Sequence, residues 1–525
     1  MAALATFRRK YEKTPFPRPK EILGVRDMPG TVRASGRRLR GEPDLVPAVR
    51  RAVLRAALCL CLLILPALAE EAGPAYRIDA VYLESEQALT VNMTCAWTND
   101  TGRDLDSVLF GVYANVFRRE STLPFDNATL PNAFPWGYAP SGAEFGRVTF
   151  NGETARYAFL GESESFMRVS CALKNGERGV FGFEYTLLLS QNRSFQGVGG
   201  DLRLSLFYPS LCVWDEGFIC PGASRAAQWL FAPAADFEMT LYLPASYDLA
   251  CGGEAEAFEA DNAFRRWEVN LRGAGELAMA AGKRYHCFER ELDSGLTVRS
   301  LGSDRALAKK ALACACECME IYDRWFGPLP WERLDVCFAD AALSESRPGL
   351  IVLGDDAEGD LENVLRALCA RQYFGCAVIT DPGTDPFLSG GVCEYVSLLA
   401  EEEAKGGQAL ARALTQRILP ALQTTVPGGL TPDSPLAAFQ TVYDYNAVVC
   451  RRGAAVMHEM RVAMGRETFL NALKIYASDA AGKVKGIRDF VSALDEASGK
   501  SLGSALVSWL YTIDEYARYQ GDTYD

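Results

Sequence analysis

Histidine is nearly missing from this chain: two occur in 525 residues, His286 and His458, far apart in the sequence. An i, i+4 histidine pair on one helix face, the usual helical grip on zinc, is therefore excluded everywhere. Long apolar runs are also lacking. The main one, from Ala56 to Ala69, is short of the roughly 20 residues that span a bilayer, so a multi-span membrane protein is excluded. Basic residues are outnumbered, 54 Lys and Arg against 67 Asp and Glu. Fourteen of the basic residues, with only five acidic ones, fall within residues 1–55, which leaves the body strongly acidic. That balance argues against nucleic acid as a partner, because phosphate binding needs clustered cations. Sixteen cysteines are too dilute in this length for a disulfide scaffold.

What is present is a globular composition, 49% hydrophobic and 11% aromatic, in a chain long enough for two to four domains. Arg50, Arg51 and Arg55 precede the apolar run ALCLCLLILPALA, which ends in Ala67-Leu68-Ala69 before two glutamates. This is the pattern of a secretory signal over residues 50–69, with a membrane role only if it stays uncleaved as an anchor. Residues 1–49 are basic and rich in Pro, Gly and Arg, without hydrophobic period, and are expected to be an unstructured leader. An exported chain can oxidise thiols, and Cys212 with Cys220, flanking a Trp/Gly/Phe loop, is the expected bridge. Cys314, Cys316 and Cys318 lie two apart on a helical pattern, so their side chains diverge and they read as small core or surface residues rather than metal ligands. N-x-S/T triplets stand at Asn92, Asn99, Asn127 and Asn192.

Residues 76–274 alternate. Runs such as YRIDAVYL, ALTVNMTCAW, SVLFGVYANVF, FMRVSCAL, FGFEYTLLL, DLRLSLFYPSL and FEMTLYLP are rich in Val, Phe, Tyr and Thr, with turn residues between them. They predict a β-sandwich or saddle-like domain of about ten strands. From residue 275 to 525 the period becomes helical, in DRALAKKALACACECMEIYDRWFG, LENVLRALCARQYFG, GGVCEYVSLLAEEEA, CRRGAAVMHEMRVAM, RETFLNALKIYA and IRDFVSALDEA. Two short strands, RLDVCFAD and LIVLGD, interrupt it. The fold class is α+β and multidomain, a β domain followed by an α-rich one.

The order RWFGPLPWERLDVCFAD, ESRPGLIVL, LRALCARQYFGCAV, DPFLSGGVCEYVSLLAEE and VVCRRGAAVMHEMRVAM resembles the zinc aminopeptidases typified by membrane alanyl aminopeptidase, a gluzincin family. The resemblance spans about residues 76–525 and implies a thermolysin-like peptidase domain over residues 275–525. It implies a GAMEN-like segment, H-E-x-x-H on a helix, a third Glu ligand on the next helix, and a Y-x-K-G tyrosine. Carried onto this sequence, the first and second zinc ligands fall at Ala367 and Arg371, and the third at Gly390. The general base falls at Leu368, the tyrosine at Cys450 and the amine-gripping glutamate at Ser346, beside Arg347. Each replacement removes the donor or acceptor that metal-assisted hydrolysis requires.

The missing cofactor is zinc, and no other is expected. Cys369, Cys376, Cys393 and Cys450 do not form a C-x-x-C pair, and His458 lies two helical turns from Cys450, too far for a thiol and base on one helix. Leu361, Val364, Leu365 and Leu368 form an apolar stripe that turns the old base position into core filling. Arg371 is expected either to replace the metal as a structural cation, with Glu394 or Glu362 as partner, or to line an open cleft as a solvated arginine. Arg347, Arg371 and Glu394 are the candidate peptide-binding residues, and added cations would favour an acidic peptide or a chain-terminal carboxylate. Arg451 and Arg452 read as a solvated helix start. With no helical C-terminal domain of the family recognisable, a more open cleft is expected.

The leading function is a secreted pseudoenzyme that binds a peptide or protein partner without hydrolysing it. The alternatives are an active zinc aminopeptidase with a rebuilt site and a structural or assembly component. Intact-mass analysis of exported protein is expected to give a chain beginning at Glu70; a retained apolar run would mean an anchor instead.

Overall fold

Alternating apolar side chains put one face of each strand in the first half against a core. In Ala75–Leu83 every second residue, Tyr76, Ile78, Ala80 and Tyr82, is buried. The computed structural model describes residues 73–512 except 261–262, 358, 427 and 479–482. The expected leader and signal lie outside the described residues.

An eight-stranded sheet runs in spatial order Glu254–Glu259, Phe264–Ala274, Ala235–Pro244, Ala75–Leu83, Ala88–Thr98, Arg178–Leu188, Gly142–Phe150 and Glu153–Thr154. Ala75–Leu83 is parallel to Ala235–Pro244 and antiparallel to Ala88–Thr98, so Ile78 stands between Met239 and Met93. Two four-stranded sheets accompany it. The run SVLFGVYANVF is only half strand: after Leu105–Gly111 it turns into a 3-10 helix, Tyr113–Arg118. All five residues from Tyr113 to Phe117 are buried there, Asn115 among them, its amide donating to the Glu164 carbonyl at 2.9 Å. DLRLSLFYPSL likewise splits into Leu202–Leu204 and Ser210–Leu211. Met279–Lys283, beyond the expected domain boundary, pairs with Leu202–Leu204 and Tyr247–Cys251 of the first half.

The second half opens with a five-stranded sheet ordered His286–Glu291, Thr297–Gly302, Arg333–Phe338, Leu350–Leu353, Glu345–Arg347. Both strands expected within the helical half are present, and Glu345–Arg347 forms an edge antiparallel to Leu350–Leu353. The helices that matter for the site are α1 (Arg305–Phe326), α2 (Leu361–Arg371), α3 (Gly391–Lys405) and α4 (Gly453–Met464). Asp304 caps α1 by accepting from the amides of Ala306 and Leu307, and Gly327 ends it at φ 91°. Cys314, Cys316 and Cys318 are all buried along α1. No described helix is long and apolar enough to cross a membrane.

The expected disulfide, Cys212–Cys220, is formed. Of the four N-x-S/T asparagines, Asn99 and Asn192 are fully buried and brace their own loops, whereas Asn127 is exposed. The two halves are tied by a buried carboxylate. Asp335 accepts from Arg299 at 2.7 Å, Arg333 at 2.9 Å and the amide of Cys251 at 3.0 Å, and Arg299 also reaches the Leu249 carbonyl. Burial pushes this carboxyl up to about 6, against the downward pull of Arg299. Asp335→Ala leaves two mostly buried guanidinium groups without their shared partner, and urea unfolding should show a loss of about 3 kcal/mol.

Candidate functional site

The apolar stripe of α2 is as read from the sequence: Leu361, Leu365 and Leu368 are buried and Val364 packs against the same core. Just past its end the chain widens into a π-helical turn, Gln372–Ala377. Gln372 is fully buried, and its amide donates to Ser346 Oγ and to the Arg347 carbonyl, both at 2.8 Å, while accepting from the Gly349 amide at 3.0 Å. Ser346 Oγ in turn donates to the Leu368 carbonyl at 2.9 Å. The position where the resemblance implies a substrate-gripping glutamate therefore holds a helix end. The position of the general base is a buried leucine whose carbonyl is the acceptor.

Gly390 is buried between a short helix, Pro386–Ser389, and α3. A Cβ there would stand 2.8 Å from Val449 Cγ1, 3.1 Å from the Pro386 carbonyl oxygen and 3.1 Å from Tyr445 Oη. The space a carboxylate stem would need is occupied by a valine methyl and a phenol. One residue on, Gly391 and Gly453 let α3 and α4 meet backbone to backbone: a Cβ on Gly391 would sit 2.8 Å from the Gly453 Cα. Tyr445, not singled out in the sequence, shares a hydrogen bond with Ser389, and burial pushes its phenol up. Its only sequence signal is its place five residues before Cys450.

The cations are distributed differently from the expectation. Glu394 pairs with Arg417 at 2.7 Å, and Glu362 with Lys405 at 2.9 Å and Arg366 at 3.4 Å. Arg371, the last residue of α2, reaches across to the first half and donates to Gln228 Oε1 at 3.2 Å. Among the described residues it has no carboxylate within 4 Å, so neither expected ion pair forms. Leaving the helix end where the chain widens, its side chain engages a neutral amide. Arg347 is buried and meets Glu276 and Glu345, each at 2.9 Å. Burial pushes the Glu276 carboxyl up and Arg347 pulls it partly back. Arg452, expected in solvent, is buried and donates to the carbonyls of Ala421 and Thr424 at 3.2 and 2.6 Å. The helix end it braces needs those acceptors filled.

The thiols near Arg371 are not activated. Burial raises Cys376 to about 11 and Cys450 to about 12, with Arg371 lowering each only in part, so both are thiols near neutrality. Cys393 is raised as well. His458 is bonded through Nδ1 to Tyr395 Oη at 2.9 Å and lowered to about 4 by burial, then by Arg461, and among the described residues it belongs to no group of His, Cys, Asp or Glu that could hold a metal. His286 is exposed on its strand.

Of the sequence-predicted positions, Ser346, Arg347 and Arg371 line one cavity, with Gln228, Glu276, Gly375 and Thr380 among its other walls. Ala367, Leu368, Gly390, Cys450 and Glu394 do not line it. Its volume is about 60 Å³, far below the hundreds of Å³ of an ordinary ligand pocket. Gln228 carried no periodic or motif signal, and sequence reasoning passed over it.

The residues present do not fit zinc. A methyl, a guanidinium and a hydrogen stand at the three ligand positions, and among the described residues no three or more His, Cys, Asp or Glu are grouped to hold a metal. No hydrolytic step through a metal follows from this arrangement.

With that geometry in place, comparison with known proteins shows the fold. The chain is similar over 86% of its length to a point mutant of an M1 zinc metallopeptidase from Deinococcus radiodurans, with a TM-score of 0.61, 18% identity and 96% of that chain covered. The unmutated enzyme gives 0.60 over 85% of this chain and 96% of its own, at 18% identity. A mutant bound to a Tyr-Ser-Ala substrate gives 0.59 at 17% identity, with 85% and 96% covered. Among curated proteins, Aminopeptidase M1-A of Oryza sativa subsp. japonica is 26% identical over 226 residues, 39% of this chain and 25% of that protein. The match thus spans about a quarter of that relative. No protein-family profile matches. The chain has the M1 metallopeptidase fold, a β-rich domain followed by an α-rich one, and no metal-binding cluster among the described residues.

Gly390→Ala places a methyl against Val449, whose stiff branched side chain cannot swing aside. Unfolding measurements should show a loss of about 1–3 kcal/mol, and Gly390→Glu should lose more without gaining zinc.

Proposed function

We propose that the protein is an aminopeptidase-fold pseudopeptidase that acts outside the cytoplasm by binding a peptide or protein partner. The observation that carries the reading is the filling of the third-ligand position by Val449 and Tyr445 around Gly390. With the third position filled by a valine methyl and a phenol, no set of ligands remains there to generate a metal-bound nucleophile. Retention of the surrounding fold fits a binding role, and the Deinococcus mutant bound to Tyr-Ser-Ala is a case of this fold with a peptide. Export is supported by the basic-then-apolar segment ending at Ala69 and by the Cys212–Cys220 bridge, since such bonds persist in oxidising compartments.

Purified protein supplied with zinc and aminoacyl-arylamide substrates is expected to show no turnover above a heat-unfolded control, while retaining members of a tripeptide library on an affinity column. Steady release of arylamine that a chelator abolishes would establish an enzyme instead.

A further inference from the structure

The cavity beside the old metal position is rich in uncommitted donors. Arg371 carries five N–H groups in a fixed fork, of which one is recorded in a hydrogen bond, to Gln228 Oε1 at 3.2 Å. That bond orients the Gln228 amide so that its own NH2 remains a donor, and no partner for it occurs among the described residues. Thr380, buried on the same wall, has a hydroxyl likewise without a described partner. The one carboxylate on the lining is committed. Glu276 Oε1 accepts from the Leu206 amide at 2.8 Å and Oε2 from Arg347 at 2.9 Å. Arg347 is consumed by Glu276 and Glu345, and Ser346 Oγ is consumed between Gln372 and Leu368. Arg371 is thus the lining cation with no carboxylate within 4 Å among the described residues, in a cavity of about 60 Å³.

We propose that this cavity receives a single carboxylate group, held by the Arg371 guanidinium with the Gln228 amide and the Thr380 hydroxyl beside it. The guanidinium of Arg371 has no carboxylate in contact, and its planar fork matches a carboxylate's two oxygens. The volume admits the end of a ligand and not its whole body. An aminopeptidase site is built to hold a free amine, whereas this one offers donors and no free acceptor of charge, so its recognition is reversed in polarity. The carboxylate can belong to a peptide's C-terminus or to a small free acid. The inference rests on the reading of the protein as a binder and adds the chemistry of what the site takes.

Calorimetric titration of N-acetyl-trialanine, as free acid and as C-terminal amide, separates the two ideas, because neither peptide has an amine for an aminopeptidase to trim. The acid is expected to bind at least ~10-fold more tightly than the amide, and Arg371→Gln to erase that preference. Competition by acetate alone would place a free carboxylate in the site, and competition by the peptide acid only would place a chain terminus there; either supports the assignment. Equal affinity for acid and amide, a preference that survives in Arg371→Gln, or no binding of the acid overturns it. Equal affinities with binding intact would leave the binder reading standing, while arylamide turnover in the separate assay would remove that reading alone. The wild-type comparison holds even where the Arg371 variant folds poorly.

Discussion

A single buried amide, that of Gln372, sets the geometry of the altered site. It clamps the edge strand bearing Ser346 and Arg347 to the C-terminal end of the helix that carries Ala367, Leu368 and Arg371. Every polar atom of that side chain is used, and a buried amide left unpaired costs about 1–3 kcal/mol per group. With the strand and helix locked, Ser346 can only serve the Leu368 carbonyl, Arg347 can only face Glu276 and Glu345, and Arg371 is left at the margin to reach Gln228. The frame of a catalytic centre is retained by contacts that have nothing to do with a metal.

The frame also explains how the site tolerates its losses. In a hydrolytic site of this fold, metal coordination contributes to holding two helices together. Here Leu365 and Leu368 of α2 pack in the apolar core, while α3 is fixed against α4 by the glycine-to-glycine approach of Gly391 and Gly453 and, at Gly390, by Val449 and Tyr445. Neutral packing stands where ion binding would be; Arg347 and Glu276 pair on the cavity wall, and Glu394 with Arg417, Glu362 with Lys405 and Glu402 with Arg461 pair away from it. What stays polar and uncommitted is the wall formed by Arg371, Gln228 and Thr380.

Much of this was legible in the sequence because it was local. Strand alternation, helical period and the stripe ending at Leu368 follow from spacing, the Cys212–Cys220 bridge from the short loop it closes, and the chemical poverty of Ala367, Arg371 and Gly390 from the resemblance to the zinc aminopeptidases. The misjudged features depend on contacts between distant segments. Arg371 meets Gln228, 143 positions away, in a stretch without regular structure. Glu276 reaches Arg347 from 71 positions away, which turned an expected ligand-facing cation into a buried ion pair. Arg452 finds carbonyls at a helix end that no local pattern announces.

Zinc titration of the folded protein, followed by metal analysis after gel filtration, addresses the central claim most directly. Retention of no more metal than the buffer blank is the predicted result, unchanged when His458 is replaced. One zinc carried per chain, and lost when Arg371 or a neighbouring thiol is replaced, would contradict the account.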